Sequence, residues 1–152
     1  MAAAESPDTS NPFHHAGCLG CGSANPNSIG VRLHTDGDRV SGSATFDEHQ
    51  EGAPGFVHGG AVATVLDDAL GTIPIMLGRP SVTANLNVDF RAPVLLGSTV
   101  QISAWLVRVE GRKFFVAGEL RDGETLIAEA KGLFLEVPAE HYERGAASVG
   151  RW

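Results

Sequence analysis

From Val82 to Arg91 apolar and polar positions alternate along the chain. Val82, Ala84, Leu86, Val88 and Phe90 fall on one side, and Thr83, Asn85, Asn87, Asp89 and Arg91 on the other. A period of two predicts a strand with one face against a core. Two more strands are predicted from Thr99 to Val109 and from Lys113 to Arg121, joined by the short connection Glu110-Gly111-Arg112. Asp122-Gly123, a favoured two-residue hairpin turn, leads into a last strand ending near Val137. Upstream, strand character covers Val31 to Leu33 and then Arg39 to Phe46, where Val40, Ala44 and Phe46 alternate with polar residues. A glycine-rich loop from Asp47 to His58 separates these from the best helix candidate, Gly59 to about Gly71. There Val62, Leu66 and Leu70 repeat at i, i+4, with Ala61, Val65 and Ala69 beside them. Pro74 is expected to end or kink this helix.

Short turns imply antiparallel neighbours. A helix that is apolar almost all round, followed by four such strands, has a simple packing solution: the sheet buries its apolar face by wrapping the helix. The expected class is therefore α+β, an antiparallel β-sheet around a central α-helix, which is the hotdog architecture. Residues 1–13 are small, polar and proline-containing and read as a flexible N-terminal arm. Residues 14–137 read as one domain with a Cys/Gly-rich lead-in, and 138–152, with little periodicity, as a loose C-terminal tail.

A chain of 152 residues, 43% hydrophobic and 19% charged, fits a single folded domain. Its net charge of −7 disfavours nucleic acid or an anionic membrane as partner. The first residues hold neither a basic nor an apolar signal region, and every apolar run is shorter than the roughly 20 residues of a membrane span. With only two cysteines the expected compartment is the reducing cytoplasm.

The chemistry concentrates between Gly55 and Gly71. A histidine and two glycines open the helix, and exposed N–H groups there favour developing negative charge. A thioester carbonyl set against them would be polarised and its oxyanion stabilised; glycines at a tight loop-to-helix junction would look the same. Asp67 and Asp68 lie deep in the apolar helix, where an ionised carboxylate is costly unless paired or solvated. Adjacent helical residues point about 100° apart, so the two are not expected to serve one site. Asp67 shares its face with Gly60, Ala63, Thr64 and Gly71, which leave room for a ligand. Asp68 is expected to meet a neighbouring strand or solvent.

The run His58-Gly-Gly-Ala-Val-Ala-Thr-Val-Leu-Asp67 resembles the signature of the hotdog-fold acyl-CoA thioesterases. The likeness is to the PaaI-like and thioesterase-superfamily-member branch of the 4-hydroxybenzoyl-CoA thioesterase superfamily. Thr83 to Arg91 and Val109 to Phe115 resemble the same branch, so the similarity covers roughly residues 46–137. The resemblance implies hydrolysis of an acyl-CoA to free acid and CoA. Asp67 would be nucleophile or general base, Gly59 would give its N–H to the carbonyl, His58 would position the thioester or leaving sulfur, and Thr83 would support water or the acid. Gly60 would lie along the substrate, and Asp89, Arg91, Arg112 and Lys113 would hold the nucleotide end of CoA. A homodimer, or a homotetramer built as a dimer of dimers, is expected because a single such domain leaves its sheet edge and helix acid incompletely enclosed, and carboxylate, helix-start N–H and water need no cofactor and no metal.

One departure stands out. Many relatives place Asn or Gln six residues before the histidine, where this chain has Gly52; His49, Gln50 or Glu51 could take over. Cys18 and Cys21, with His14 and His15 upstream, are two ligands in search of a second pair, which argues against structural zinc. Ile73, Ile75, Met76 and Trp105 are the guesses for the acyl pocket. Two other functions fit the fold: non-catalytic binding of an acyl thioester, and hydration or dehydration of an enoyl thioester.

Overall fold

Each short turn folds a strand back on its neighbour, and the sheet follows from them. The computed structural model describes residues 15–149; the predicted arm at 1–13 lies outside them. In chain order the elements are β1 (Arg32–Asp36), β2 (Arg39–Thr45), α1 (Gly59–Met76), β3 (Ser81–Phe90), β4 (Thr99–Glu110), β5 (Lys113–Asp122), β6 (Thr125–Glu136) and α2 (Ala139–Val149). The strands form one antiparallel sheet in the order β1-β2-β4-β5-β6-β3. α1 lies in its concave face, the hotdog arrangement expected from the sequence. Val65, Leu66, Ala69, Leu70 and Ile73 are fully buried in one core with Val100, Phe114, Leu120 and Ala128. The sheet closes tightly on the helix because Gly118 and Gly132 have no side chain. A Cβ there would stand 2.7 and 3.0 Å from the methyl groups of Leu70.

α1 runs past Pro74 to Met76. The proline costs one hydrogen bond within the last turn, and what stops the helix is Gly78, at φ +75°. Gly78 N–H reaches Ile75 O at 2.9 Å and Arg79 N–H reaches Pro74 O at 3.0 Å, the paired bonds of a Schellman terminus.

Among the described residues β3 is an edge strand, paired only with β6. Its register slips between Thr83 and Asn85, leaving Ala84 as the extra residue of a bulge. The slip changes which residues face the helix. Leu86, Val88 and Phe90 sit opposite Gly132, Ala130 and Ala128, while Thr83 sits opposite buried Phe134. Cross-strand partners share a face, so the bulge turns Thr83 inward although strict alternation would send it outward.

Where a loose tail was expected, residues 139–149 form α2. None of its residues is buried, so local propensity (Pro138 at the start, then Ala and Glu) makes the helix rather than an apolar stripe. Its tether is the Tyr142 hydroxyl, which donates to Ser81 O at 2.6 Å. Among the described residues no helix is long and apolar enough to cross a membrane.

Candidate active site

The loop from Asp47 to His58 aims the start of α1. Asp47 and Gln50 form a reciprocal cap around the 3₁₀ turn Glu48–Gln50, Glu51 accepts from Gly55 N–H at 2.8 Å, and His49 pairs with Asp47 at 2.8 Å. All three residues that could replace the missing amide are thus engaged within the loop. Gly52 is hemmed in as well, since a Cβ there would lie 2.8 Å from His58 Cα. Gln50 O then accepts the His58 N–H at 2.8 Å and Val94 O accepts that of Val57 at 2.9 Å, which fixes where α1 begins.

His58 is the N-cap of α1. Its Nδ1 accepts the Gly60 N–H at 2.8 Å, so one of the two glycine amides at the helix start is occupied by the protein itself. A Cβ on Gly60 would stand 2.9 Å from that Nδ1, and only glycine leaves room for this cap. The Gly59 N–H has no acceptor among the described residues. It opens on a cleft of about 320 Å³ lined by Val57, Gly59, Val62, Phe90, Arg91, Ala92, Pro93 and Val94. The walls are apolar except for Arg91, whose guanidinium reaches Glu129 at 3.1 Å and Asp89 at 3.7 Å. Ile73, a guess for the acyl pocket, is instead sealed in the core.

Asp67 lies on another part of α1. It is half-buried, and its Oδ1 accepts the Thr83 hydroxyl at 2.8 Å, the contact the bulge in β3 makes available. A charge-assisted bond of this kind orients the carboxylate and leaves Oδ2 for other work. Within a single chain Asp67 and the helix-start amides do not share one cavity. Asp67 comes eight positions after Gly59, about 12 Å along a helix axis, and does not line the cleft. The cations divide in the same way. Arg91 follows the Phe90 end of β3, whereas Arg112, which donates to Glu136 O at 3.1 and 3.2 Å, lies with Lys113 near the Ser81 end. At about 3.3 Å per residue, the two groups are some 25–30 Å apart along the strand.

Asp68 faces neither a strand nor solvent. Cys18 Sγ and Cys21 Sγ lie 3.6 and 3.7 Å from its Oδ1, and its buried Oδ2 has no hydrogen-bond partner among the described residues. Burial, and then the Cys18 sulfur, push its carboxyl up to about 7. The Cys18 thiol is drawn down to about 5, first by the Cys21 thiol, then by the backbone N–H groups of Cys21 and Gly20 against its burial. Cys21, as the donor of that pair, is pushed up. Nothing in the local sequence joins Cys18 to Asp68, which are 50 residues apart. Phe90 was also legible only as a strand residue, yet its ring stands 3.5 Å from where a Gly59 Cβ would be and walls the cleft.

Residues 54–129 match the model of the thioesterase superfamily. Over 94 residues the chain is 44% identical to the acyl-coenzyme A thioesterase THEM4 of Mus musculus, covering 60% of this chain and 40% of that protein. It is 30% identical over 92 residues to the acyl-coenzyme A thioesterase THEM5 of Homo sapiens, covering 59% and 37%. The matched stretch thus spans about two fifths of these curated relatives. Among solved structures, a thioesterase superfamily protein superposes with TM-score 0.71 at 31% identity, over 80% of this chain and 63% of the other. A Streptococcus mutans protein bound to acetyl CoA has the same fold, with TM-score 0.67 at 19% identity over 70% and 88%.

Proposed function

The chain belongs to the thioesterase superfamily, and from that premise we propose that it hydrolyses acyl-CoA thioesters at a site assembled from two copies of itself. The observation that carries the reading is the Asp67 carboxylate, held by Thr83 at 2.8 Å on a helix that also begins with a Gly59 N–H unpartnered among the described residues. The THEM4 and THEM5 proteins are acyl-coenzyme A thioesterases by name, and the Streptococcus mutans neighbour holds acetyl CoA on this fold; both support CoA as the carrier.

The chemistry follows from the parts. The thioester carbonyl accepts the Gly59 N–H, and its oxygen gathers charge as the tetrahedral intermediate forms. Asp67 either takes the proton from an attacking water or attacks the carbonyl itself, giving an anhydride that water then opens. Collapse expels the CoA thiolate, which takes up the proton held by Asp67 on the first route or one from water on the second, and the free acid follows directly or on opening of the anhydride. No metal or redox cofactor enters these steps.

Half-sites explain why one chain separates the acid from the amide. The outer edge of β3 carries unpaired backbone groups, which a second copy can pair. An antiparallel β3–β3 pair sets the Phe90 end of one strand against the Ser81 end of the other. Asp67 and Thr83 of one copy then approach Gly59 and the cleft of the next, and Arg91 gains the Arg112–Lys113 hairpin of the second copy at the same end. Those cations are suited to the phosphates of CoA.

Subunit mixing tests the arrangement. The variants Asp67→Asn and Gly59→Pro, each inactive alone, are unfolded, mixed in equal amounts and refolded together. A shared site regenerates one intact centre in half of the dimers, about a quarter of wild-type thiol release. No recovery, with mixed dimers verified by mass, refutes the shared site. Thr83→Val is expected to lower kcat by about 10-fold or less with KM unchanged, since a charge-assisted bond is lost but Asp67 remains.

A further inference from the structure

The Cys18–Cys21 turn and Asp68 form a constellation that hydrolysis does not use. We propose that Cys18, Cys21 and Asp68 bind a zinc-class divalent cation that clips the N-terminal lead-in to α1. The distances carry it. In a tetrahedral site with metal–sulfur bonds of about 2.3 Å and a metal–oxygen bond of about 2.0–2.2 Å, the sulfur–oxygen edges measure about 3.5–3.7 Å. Here the two edges to Asp68 Oδ1 are 3.6 and 3.7 Å, and all three donor atoms lie within 4.8 Å of one another.

The surroundings are built for this. Gly20, between the cysteines, passes so close that a Cβ would lie 2.8 Å from Asp68 Cγ. The turn is pinned by Gly22 N–H to Cys18 O at 2.9 Å, and the lead-in by Ile29 N–H to Leu19 O at 3.0 Å and Val31 N–H to Gly20 O at 2.9 Å. Among the described residues Asp68 Oδ2 is buried without a partner. Thiolates favour zinc among the common divalent ions. Both cysteines are only half-buried, so a water can complete the tetrahedron. An intrachain disulfide would use the same cysteines but leave the carboxylate with nothing to bind.

A site of this kind is independent of the hydrolase reading. It would lock α1 at the residue after Asp67 and add metal-binding free energy to folding. The test uses the full chain, kept reduced and free of metal-binding tags. Metal content is measured by mass spectrometry, and cobalt(II) is titrated into the stripped protein. The expected result is about one zinc per chain and, with cobalt, thiolate charge-transfer and tetrahedral visible bands. Cys18→Ser should abolish the charge-transfer bands, and Asp68→Asn should weaken cobalt binding by at least about 10–100-fold, the cost of losing even an outer-shell partner. Wild type without those bands overturns the proposal, whatever the variants do. So does an Asp68→Asn variant with undiminished affinity, or a freshly reduced chain whose mass returns to that of a disulfide instead of taking up zinc.

Discussion

Asp67→Asn is expected to lower kcat for acyl-CoA hydrolysis by about 10²–10⁴-fold, the usual contribution of a positioned acid or base. The substitution keeps the shape of the side chain, and its amide oxygen can still accept the Thr83 hydroxyl that now reaches Oδ1 at 2.8 Å. Helix α1 and the core beneath it are therefore retained, and the circular dichroism and melting temperature should stay close to wild type. What is lost is the ability to take a proton from water or to attack a carbonyl. The signature is a fall in kcat with KM nearly unchanged, measured by CoA thiol release across several acyl chain lengths. Turnover within a few-fold of wild type would remove Asp67 from the chemistry. Binding of acyl-CoA without turnover in both proteins would instead favour a non-catalytic acyl-thioester binder.

Gly59→Pro is the second large effect, expected to cost about 10²–10³-fold in kcat, as loss of one oxyanion-hole donor does. Proline is well tolerated at the first position of a helix, where its missing N–H serves no helical bond. His58 before it is already extended, at φ −63° and ψ 135°, the conformation a residue preceding proline prefers. The cap from His58 to Gly60 is untouched. Gly59→Ala is the matched control: it keeps the N–H, and its Cβ meets the Phe90 ring at an ordinary 3.5 Å. Proline inactive and alanine near wild type isolates the donor. Equal loss in both would point to crowding of the cleft, and no loss in either would place carbonyl polarisation elsewhere.

Much of this molecule was legible before any coordinates. The even-numbered apolar residues of 82–90, the Asp122-Gly123 turn and the apolar repeat at Val62, Leu66 and Leu70 specify strands, a hairpin and a buried helix through local periodicity, and a helix with an antiparallel sheet has few ways to bury both faces. The His58-to-Asp67 run pointed to the thioesterase superfamily for the same reason: helix start, glycine amides and acid are close in sequence. Errors arose where a local rule met a stronger neighbour. α1 ran to Met76 rather than to about Gly71, because Gly78 supplies its terminus just past Pro74, and 139–149 formed a helix that no apolar periodicity announced.

What depended on tertiary structure was every relation across elements. Alternation assigned Thr83 to the outer face of β3, and a single extra residue, Ala84, turned it toward Asp67. The helix motif brought Gly59 and Asp67 together on paper, while a rise of about 1.5 Å per residue holds them two turns apart. Cys18 and Cys21 stand apart from any acid in the sequence, and the fold carries Asp68 to them across 50 and 47 residues. Periodicity is a property of neighbours along a chain, so sequence alone determined the strands β1 to β6 and the buried stripe of α1. Register, bulges and side-chain convergence are set by packing among distant segments, and only the folded chain could decide which groups meet.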